Sequence, residues 1–450
     1  MKNQRWIIDI LTFLMFGFLL FELIKTAVLM PTIAKQFNLS LTQVGLLLGI
    51  FSGGPGIVMG IVGGAIVDKL GARWAGIFPL IAFTVVTIGV GLSYNYAELA
   101  TALIIFGTFD AFVNSITYKL TGNWFGNKER GLGAGVTNSA SPFFTFLAPA
   151  VAIPLLLFFH NNFRDVFFLF AIFAIPLAIL WFIFVYDKPE ESPFMEMDEL
   201  VKIYEDEIKD GIVTENDLKK ALESRKSLDN IVTTVKASNK VSTKEAFLAI
   251  FKSGRGWGLI LGVAVMNLIW ASYAEILPTY FTDFMKYGTS IVGLFTSITY
   301  FVGFIAAILS GILAFKYKKL TLMRVGVIIS LVATIPLIFV GPGTPAAEML
   351  AITSIGFFAI IFYFPVFYSY TAQYFGRAVL GRVLGIQFTF ISLALAFGNT
   401  IILDIAAGPG WHYSYLFVTI MVLVAIALTF MVKDREVSAE KASKIILGGG

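Results

Sequence analysis

Twelve long apolar runs constrain this chain more than any other feature of its sequence. A bilayer core about 30 Å thick is crossed by a helix of about 20 apolar residues. Of the 450 residues, 57% are hydrophobic and only 14% are charged, against about 25% charged in a soluble globular domain. The sequence therefore predicts an all-α integral membrane protein with twelve transmembrane helices, at 7–30, 41–67, 74–93, 98–119, 132–158, 164–186, 257–282, 290–315, 322–341, 346–371, 380–405 and 413–432.

The predicted spans fall into two sets of six, separated by a polar segment. That segment, 187–256, holds 12 of the 33 Lys and Arg residues and contains no apolar run of spanning length. Its composition favours short amphipathic helices on the membrane surface at 195–209 and 216–226. The predicted domains are an N-terminal six-helix bundle (1–186), a cytoplasmic linker (187–256), a C-terminal six-helix bundle (257–432) and a cytoplasmic tail (433–450).

Positive charge predicts the orientation in the membrane, because Lys and Arg accumulate in cytoplasmic loops. Outside the linker, and apart from Lys25 within span 1, 17 Lys and Arg residues fall on the face shared by both termini and the linker, and only Lys35, Arg164 and Lys286 fall on the opposite face. Both termini are therefore predicted to be cytoplasmic, in a multi-pass protein of the cell membrane. We expect a monomer.

Composition excludes several classes of function. The chain has no cysteine and two histidines, which leaves little for thiolate chemistry or a metal site. A net charge of +4 is too small to indicate nucleic-acid binding. The linker holds no glycine-rich phosphate loop ending in Gly-Lys-Ser or Gly-Lys-Thr, so ATP is not expected to drive the protein. We expect no enzyme, no cofactor and no metal; the predicted partners are a small molecule, protons and lipid.

The two sets of six spans carry a local repeat. Trp124-Phe125-Gly126, followed by Gly131 and Gly135, matches Tyr374-Phe375-Gly376, followed by Gly381 and Gly385. Both segments join a fourth span to a fifth. Six plus six spans of the same orientation indicate two parallel repeats, which would rock about a central site.

Three ionisable residues are predicted to lie well inside the spans, where a charge is costly and a function is the default explanation. Glu22 and Asp110 lie 8 and 12 residues from the predicted outer ends of spans 1 and 4, about 12 and 18 Å deep at about 1.5 Å per residue. One cavity could therefore hold both. A carboxyl group removed from water takes up a proton more readily, and Asp110 has no basic neighbour within one turn, so Asp110 is the expected proton carrier.

Lys25 is three residues from Glu22 and shares its helix face. One interpretation is that an anionic substrate binds Lys25 and frees Glu22 for a proton, which would couple the two binding events. The alternative is a purely structural Glu22–Lys25 pair. Elsewhere in the spans, Asp9, Glu98 and Lys119 are close enough to helix ends to reach the interface. Glu275 and Asp404 lie in outer turns of spans 7 and 11, where an extracellular gate and a wet vestibule would explain them equally well.

Amides and hydroxyls in otherwise apolar spans need a polar partner, which a substrate cavity can supply. Packing and interfacial belts are the competing explanation for the aromatic residues. The predicted substrate-binding residues, besides Lys25, are Asn138, Ser139, Asn267, Tyr273, Tyr363 and Gln387.

The turn between spans 2 and 3 carries a charged, glycine-containing motif that runs from Gly64 through Asp68, Lys69 and Gly71 to Arg73. It resembles the loop that marks the major facilitator superfamily, and the resemblance covers essentially the whole chain. The resemblance implies the major facilitator fold and a cytoplasmic gate latched between the halves, with Gly64, Asp68, Lys69 and Arg73 in this role. The second-half counterpart, 311–324, has no acidic residue.

Within that superfamily, the first half resembles the anion:cation symporter family. The residues are an acid nine before proline, here Glu22 and Pro31; Gly107 with Asp110; the string 124–131, which includes Glu129 and Arg130; and Asn138 with Ser139. The resemblance implies proton-coupled symport of organic carboxylates, with Glu22 and Asp110 as coupling groups and Glu129 and Arg130 at the cytoplasmic gate.

Two departures from that family bear on the substrate. Many members have arginine where this chain has Leu23 and Leu103. The primary hypothesis is a secondary transporter working by alternating access, a proton symporter of a small organic anion such as a sugar acid. A proton-coupled antiporter or exporter of neutral or cationic molecules is the alternative that the two leucines favour. A third, a transport-inactive membrane sensor or receptor, would use the linker for signalling.

Overall fold

The computed structural model describes residues 3–126, 129–209, 215–227, 254–375 and 377–432, and these form helices joined by short turns. Twelve helices are long and apolar enough to cross a membrane, which confirms the predicted all-α class and span number. The first six are α1 (Gln4–Phe37), α2 (Leu41–Leu46, a π-helical turn Leu47–Phe51, and Ser52–Leu70), α3 (Ala72–Leu92), α4 (Tyr96–Trp124), α5 (Arg130–Phe158) and α6 (Phe163–Ala171 and Ala174–Phe184).

The second six helices repeat this arrangement. They are α7 (Gly254–Ala274 and Leu277–Asp283), α8 (Thr289–Lys316), α9 (Lys319–Thr334, continued by the 3-10 turn Ile335–Ile338), α10 (Ala346–Phe375), α11 (Arg377–Ala407) and α12 (Trp411–Met431). Between the two sets, the linker forms the helices Met197–Lys209 and Glu215–Ser227. We call the side on which α1 begins and α12 ends the linker face, and the opposite side the distal face.

Helix α1 is longer than its apolar run. It continues through Pro31 to Phe37 and ends at Asn38, which adopts a left-handed conformation with φ 52°. Asparagine is one of the few residues with a side chain that tolerates this region. Two residues later Ser40 begins α2 with a capping box: its side chain accepts from the Gln43 N–H and its own N–H donates to the Gln43 side chain.

Helix α7 is broken at Glu275 and Ile276. Pro278 has no N–H to donate to a helix ladder, so the carbonyl groups before the break need other donors. The Tyr300 hydroxyl of α8 supplies them: it donates to the carbonyl of Tyr273 at 3.1 Å and to that of Ala274 at 2.8 Å. The break is thereby stabilised within the membrane, where water is absent.

The first linker helix packs on the linker face. Its residues Leu200 and Ile203 are buried, and Glu199 lies 3.2 Å from the guanidinium Nε of Arg5 at the start of α1. The Gln4 side chain also donates to the Ser192 hydroxyl. These contacts attach the first part of the linker to the N-terminal half.

The two halves meet along α2 and α11 and along α5 and α8. Near the distal face both seams are tight: a Cβ built on Gly49 would lie 2.4 Å from the Ala396 carbonyl oxygen, and one on Gly293 would lie 2.5 Å from the Ile153 side chain. Near the linker face, a Cβ on Gly135 of α5 or Gly311 of α8 would meet no described atom within 4 Å. The two glycines near the distal face are therefore closely packed against the other half, whereas Gly135 and Gly311 face open space.

Candidate functional site

Glu22 and Lys25 form a buried ion pair on α1. The Lys25 ammonium donates to both Glu22 carboxylate oxygens, at 2.8 and 2.7 Å, and the Thr87 hydroxyl of α3 donates to Glu22 Oε2 at 2.7 Å. Lys25 has no exposed surface. Its ammonium lies 4.2 Å from the ring centroid of Phe167 and 5.1 Å from that of Phe170, both on α6, which adds favourable cation–π attraction.

This geometry directs Lys25 into the packed interior of the N-terminal half. The sequence predicts Lys25 as a substrate-binding residue, yet in this conformation its charge is neutralised by Glu22 and shielded by the two rings. A substrate would reach Lys25 only after the α1–α6 packing opens. The structure shows the Glu22–Lys25 pair from which both the coupling interpretation and the purely structural one start.

Glu22 also borders a small cavity between α1, α2, α3 and α4. Its volume of about 10 Å³ is about that of a single water molecule. Both leucines that replace family arginines, Leu23 and Leu103, line it. With leucine at both positions, the cation that pairs with this carboxylate among the described residues is Lys25.

Asp110 and Glu22 lie at similar distances along their helices from the distal helix ends. Glu22 is 15 residues from the distal end of α1 and Asp110 is 14 residues from the distal end of α4, which corresponds to about 21–23 Å along each helix axis. Asp110 does not line the cavity beside Glu22, so the two carboxyls do not share it.

Asp110 instead faces the other half of the protein. Its neighbour one turn earlier, Gly107, packs directly on the backbone of Ser52 in α2, where a Cβ would overlap the carbonyl oxygen. Its carboxyl interacts electrostatically with that of Glu275 on α7. Asp110 is half-buried.

Glu275 is a buried acid at the break in α7, only 2% exposed. The Asn399 side-chain amide of α11 donates to its Oε2 at 2.7 Å and to the Leu48 carbonyl of α2 at 3.0 Å. One amide thus joins α7, α11 and α2 across the seam between the halves. The Thr400 hydroxyl adds a second link, to the Gly45 carbonyl at 3.1 Å.

Three of the predicted lining residues are half-buried, at positions consistent with a cavity wall. Asn138 and Asn267 donate their amide N–H to carbonyls on their own helices, of Ala134 and Val263, and Ser139 donates to the carbonyl of Val136. The amide oxygens of the two asparagines remain available to accept from a ligand. Donors for a carboxylate are fewer at this wall, because these N–H and O–H groups are already used.

The other predicted lining residues lie deeper. Tyr273 and Tyr363 are buried, and the Tyr273 hydroxyl bonds the Thr334 hydroxyl at 3.2 Å. Gln387 is 1% exposed, and neither its amide nitrogen nor its amide oxygen has a hydrogen-bond partner among the described residues. A buried amide without partners is costly, so Gln387 is the predicted residue with the greatest unmet demand for a ligand or water.

The motif between α2 and α3 is held within the N-terminal half. Gly71 has φ 84°, and the Asp187 carboxylate accepts from the Ala72 and Arg73 N–H groups at the start of α3. The Arg73 guanidinium donates to the Phe182 carbonyl at 2.8 Å and stacks 4.1 Å from the ring centroid of Tyr186. Lys119 completes the cluster with an ion pair to Asp187 at 3.1 Å.

The remaining predicted gate residues lie on the same face. Glu129 pairs with Arg5 and, at 3.5 Å, with Lys202 of the first linker helix. Lys69 is exposed and Gly64 packs near Ser115. The side chains of Asp68 and Arg130 lie outside the described part of the structure. In the part that it describes, the ion pairs of this face join the N-terminal half to itself and to the linker.

Sequence reasoning placed only Glu22, Lys25 and Asp110 well inside the spans, and the structure adds two acids. Asp9 is 2% exposed and accepts from the Thr137 hydroxyl at 2.6 Å, while its second oxygen has no described partner. Glu275 is equally buried. Both were assigned to helix ends, and only the paired polar residues Thr137 and Asn399 on other helices could have signalled their burial. Within the described ranges, no group of three or more His, Cys, Asp or Glu could hold a metal ion.

Comparison with known proteins agrees with this architecture. The sequence profile of the Major Facilitator Superfamily matches residues 10–399. The chain is similar to a hexuronate transporter of Bacillus subtilis (strain 168), 30% identical over 36% of this chain and 38% of that protein, and to a probable L-galactonate transporter of Escherichia coli (strain K12), 22% identical over 62% and 55%. These two matches thus span less than two thirds of each relative.

A galacturonate transporter of Dickeya chrysanthemi is matched over more of its length, with 22% identity over 76% of this chain and 91% of that protein. Among solved structures, the chain resembles a bacterial homolog of the human lysosomal transporter Spinster in an inward-facing and unoccupied conformation, with a TM-score of 0.70 and 15% identity over 100% of this chain and 98% of that one. At that identity the likeness shows the fold alone.

Proposed function

This chain belongs to the Major Facilitator Superfamily and is a membrane transporter rather than an enzyme, and on that premise we propose that it moves a small organic anion of the sugar acid class together with protons, by alternating access. The observation that carries the substrate class is the set of relatives named for hexuronate, galactonate and galacturonate. The observation that carries the proton coupling is the presence of buried carboxyl groups at the seam between the halves.

Alternating access is supported by the unequal packing of the two seams. The distal side is closed by the approach of Gly49 to the α11 backbone and of Gly293 to the Ile153 side chain, whereas Gly135 of α5 and Gly311 of α8 face open space. The proposed orientation, with both termini cytoplasmic, makes this an inward-facing conformation of a protein in the cell membrane. Substrate would then leave toward the linker face.

Asp110 is the proposed coupling group nearest the transport path. It is half-buried on the seam side of α4 and has no described salt bridge, so its carboxyl is free to exchange a proton with water between the halves. Glu22 is proposed as a second coupling group that responds indirectly. Its carboxylate is paired with Lys25 and Thr87, so it responds to the transport cycle through a change in α1–α6 packing that weakens that pair.

The proposed substrate contacts are the polar groups at the cavity wall. The free amide oxygens of Asn138 and Asn267 suit the hydroxyl groups of a sugar acid, which donate hydrogen bonds. Gln387 offers both a donor and an acceptor that no described residue uses. Lys25 contributes its charge through the pair with Glu22 rather than by direct contact in this conformation.

A second candidate is an exporter or antiporter of neutral or cationic molecules. One observation favours it: in the described spans, the cation nearest this region, Lys25, is fully buried and already neutralised, and the two family arginine positions are leucines. Asp110 and Glu275 would then act as counter-charges for a cationic substrate.

Transport by purified protein in liposomes with an imposed pH gradient tests the proposal. Hexuronates and hexonates should accumulate when the outside is acidic, and Asp110→Asn should abolish accumulation while substrate exchange at equal pH persists. Glu98→Gln is the matched control, because Glu98 lies on the same helix but is exposed and bonded to Asn95. Uptake of amines without a response to any acid would establish the second candidate instead.

A further inference from the structure

Glu275 is a buried carboxyl group that the coupling scheme above leaves without a role. It lies at the break in α7, 2% exposed, and accepts from the Asn399 amide at 2.7 Å. Among the residues that the structure describes, no salt bridge reaches it. A carboxylate in this position would be a buried charge without a counter-charge, which is costly inside a membrane.

No positive charge acts on Glu275 among the described residues. Helix α1, which packs on Leu277–Asp283, carries Lys25, but Lys25 is paired with Glu22 and lies against Phe167 of α6. Helix α4 contributes Asp110, whose carboxyl interacts electrostatically with that of Glu275. Helix α8 contributes the Tyr300 hydroxyl, which is occupied by the two carbonyls at the break. Helix α11 contributes Asn399 and α2 the Leu48 carbonyl. The surroundings are therefore dipoles and a second acid, and they suit a neutral carboxyl group better than a carboxylate.

The same residues close the distal side. Asn399 bonds Glu275 within its own half and the Leu48 carbonyl in the other half, and Leu48 lies in the π-helical turn of α2. Opening of the distal side requires that Asn399 release Leu48, which admits water to Glu275. Hydration of the carboxyl and separation of the halves are therefore one event.

An unused acceptor lies beside this carboxyl. The amide oxygen of Asn399 is buried and has no described hydrogen-bond partner. A protonated Glu275 carries an O–H that this oxygen can accept, while the Asn399 N–H group continues to donate to Leu48. An ionised Glu275 offers no such donor.

We propose that Glu275 is a proton-binding positioning residue of the distal gate, which closes over the protonated carboxyl and opens when water takes the proton away. The inference rests on the alternating access proposed above. It adds a proton-binding position in the C-terminal half, across the seam from Asp110. Closure at the distal face is thereby linked to proton uptake from the water on that side.

Distance measurements between two spin labels test this link without any substrate. The chain has no cysteine, so labels attach only where cysteine is introduced. Gln36 and Ala407 are exposed and lie at the distal ends of α1 and α11, one in each half. The substitutions Gln36→Cys and Ala407→Cys therefore provide the two labelling sites. With one linked proton, the ratio of closed to open protein should rise about tenfold for each unit that the pH falls through the transition.

Glu275→Gln, which keeps the size and lacks the charge, should hold the gate closed with no pH dependence. Glu275→Asp keeps a titratable group and should retain the pH dependence, which separates proton binding from a packing defect. Glu348→Gln is the matched control: Glu348 is an exposed acid at the distal end of α10, so the pH dependence should stay as in the wild type.

Three results would overturn the inference: a wild-type distance that does not change with pH, a Glu275→Gln distance that changes with pH as in the wild type, or a pH dependence that is lost in Glu348→Gln. If the pH dependence of the distance is lost in Asp110→Asn and retained in Glu275→Gln, the gating proton lies on Asp110. That result would uphold the proposed coupling and reject this inference. A gate that titrates through Glu275 in a protein that accumulates no sugar acid would uphold the inference and reject the proposed substrate.

Discussion

The Glu22–Lys25 pair gives the sharpest energetic prediction, because both charges are buried. Glu22→Gln leaves the fully buried Lys25 ammonium with two aromatic rings and a neutral amide. Removing one partner of a buried ion pair typically costs about 3–5 kcal/mol. Since a glutamine oxygen still accepts one hydrogen bond from Lys25, we expect the lower end of that range for this variant.

Lys25→Met should cost less than Glu22→Gln. The remaining Glu22 carboxylate keeps the Thr87 hydroxyl and borders a cavity with room for about one water. The double variant Glu22→Gln with Lys25→Met removes both charges and retains similar volume, so it should lie within about 1 kcal/mol of the wild type. The expected interaction free energy between the two positions is therefore several kcal/mol, far beyond the error of additivity.

Equilibrium unfolding in mixed detergent micelles measures these free energies for the four proteins of the cycle. Glu98→Gln, an exposed acid on α4, serves as the control and should stay within about 0.5 kcal/mol. Single variants as stable as this control would refute the reasoning, because they would mean that no ionic pair is buried there. A double variant as unstable as the two single variants combined would refute it equally.

Three further outcomes follow from individual contacts. Gly49→Ala should keep the distal side from closing, because its Cβ would lie 2.4 Å from the Ala396 oxygen. Gly54→Ala on the same helix is the control, because its Cβ would meet its nearest atom at 3.9 Å. Labelling of a distal cysteine in both variants measures how far the distal side closes. Thr87→Val should destabilise the protein by about 1–3 kcal/mol by removing a donor from Glu22, measured by the same unfolding assay. Burial, opposed by Arg5, raises the pKa of Glu199 above its usual range. Docking of the linker helix therefore favours the protonated acid and should weaken as pH rises from the ordinary glutamate range through the raised pKa. Hydrogen exchange of that helix measures this pH dependence, which should be lost in Glu199→Gln.

Local sequence patterns predicted several contacts because those contacts are close in the chain. Glu22 and Lys25 are three residues apart on one helix face, and the structure shows them paired. The contacts around Glu275 could not be predicted from local sequence patterns. Its partner Asn399 is 124 residues distant, and the carbonyl that Asn399 also bonds is 351 residues distant. No periodicity in one helix specifies such a pair.

The end of the first helix differs from the end of its apolar run. The apolar run of 24 residues predicts that span 1 ends at residue 30, but α1 continues to Phe37. Hydropathy reports where a helix leaves lipid, whereas hydrogen bonding and capping decide where it ends. Glu22 and Asp110 consequently lie at similar distances from the distal ends of their helices.

The sequence by itself determined the membrane class, the twelve helices and the division into two halves. Each of these follows from run length and composition, since a backbone in lipid must satisfy its own hydrogen bonds. The tertiary structure decided the rotation of each helix about its axis and the contacts across the seams. That rotation turns Lys25 toward Phe167 and into the interior, and the seam brings Asn399 to Leu48 beside Glu275. These choices depend on packing between distant segments, so only the assembled fold could reveal them.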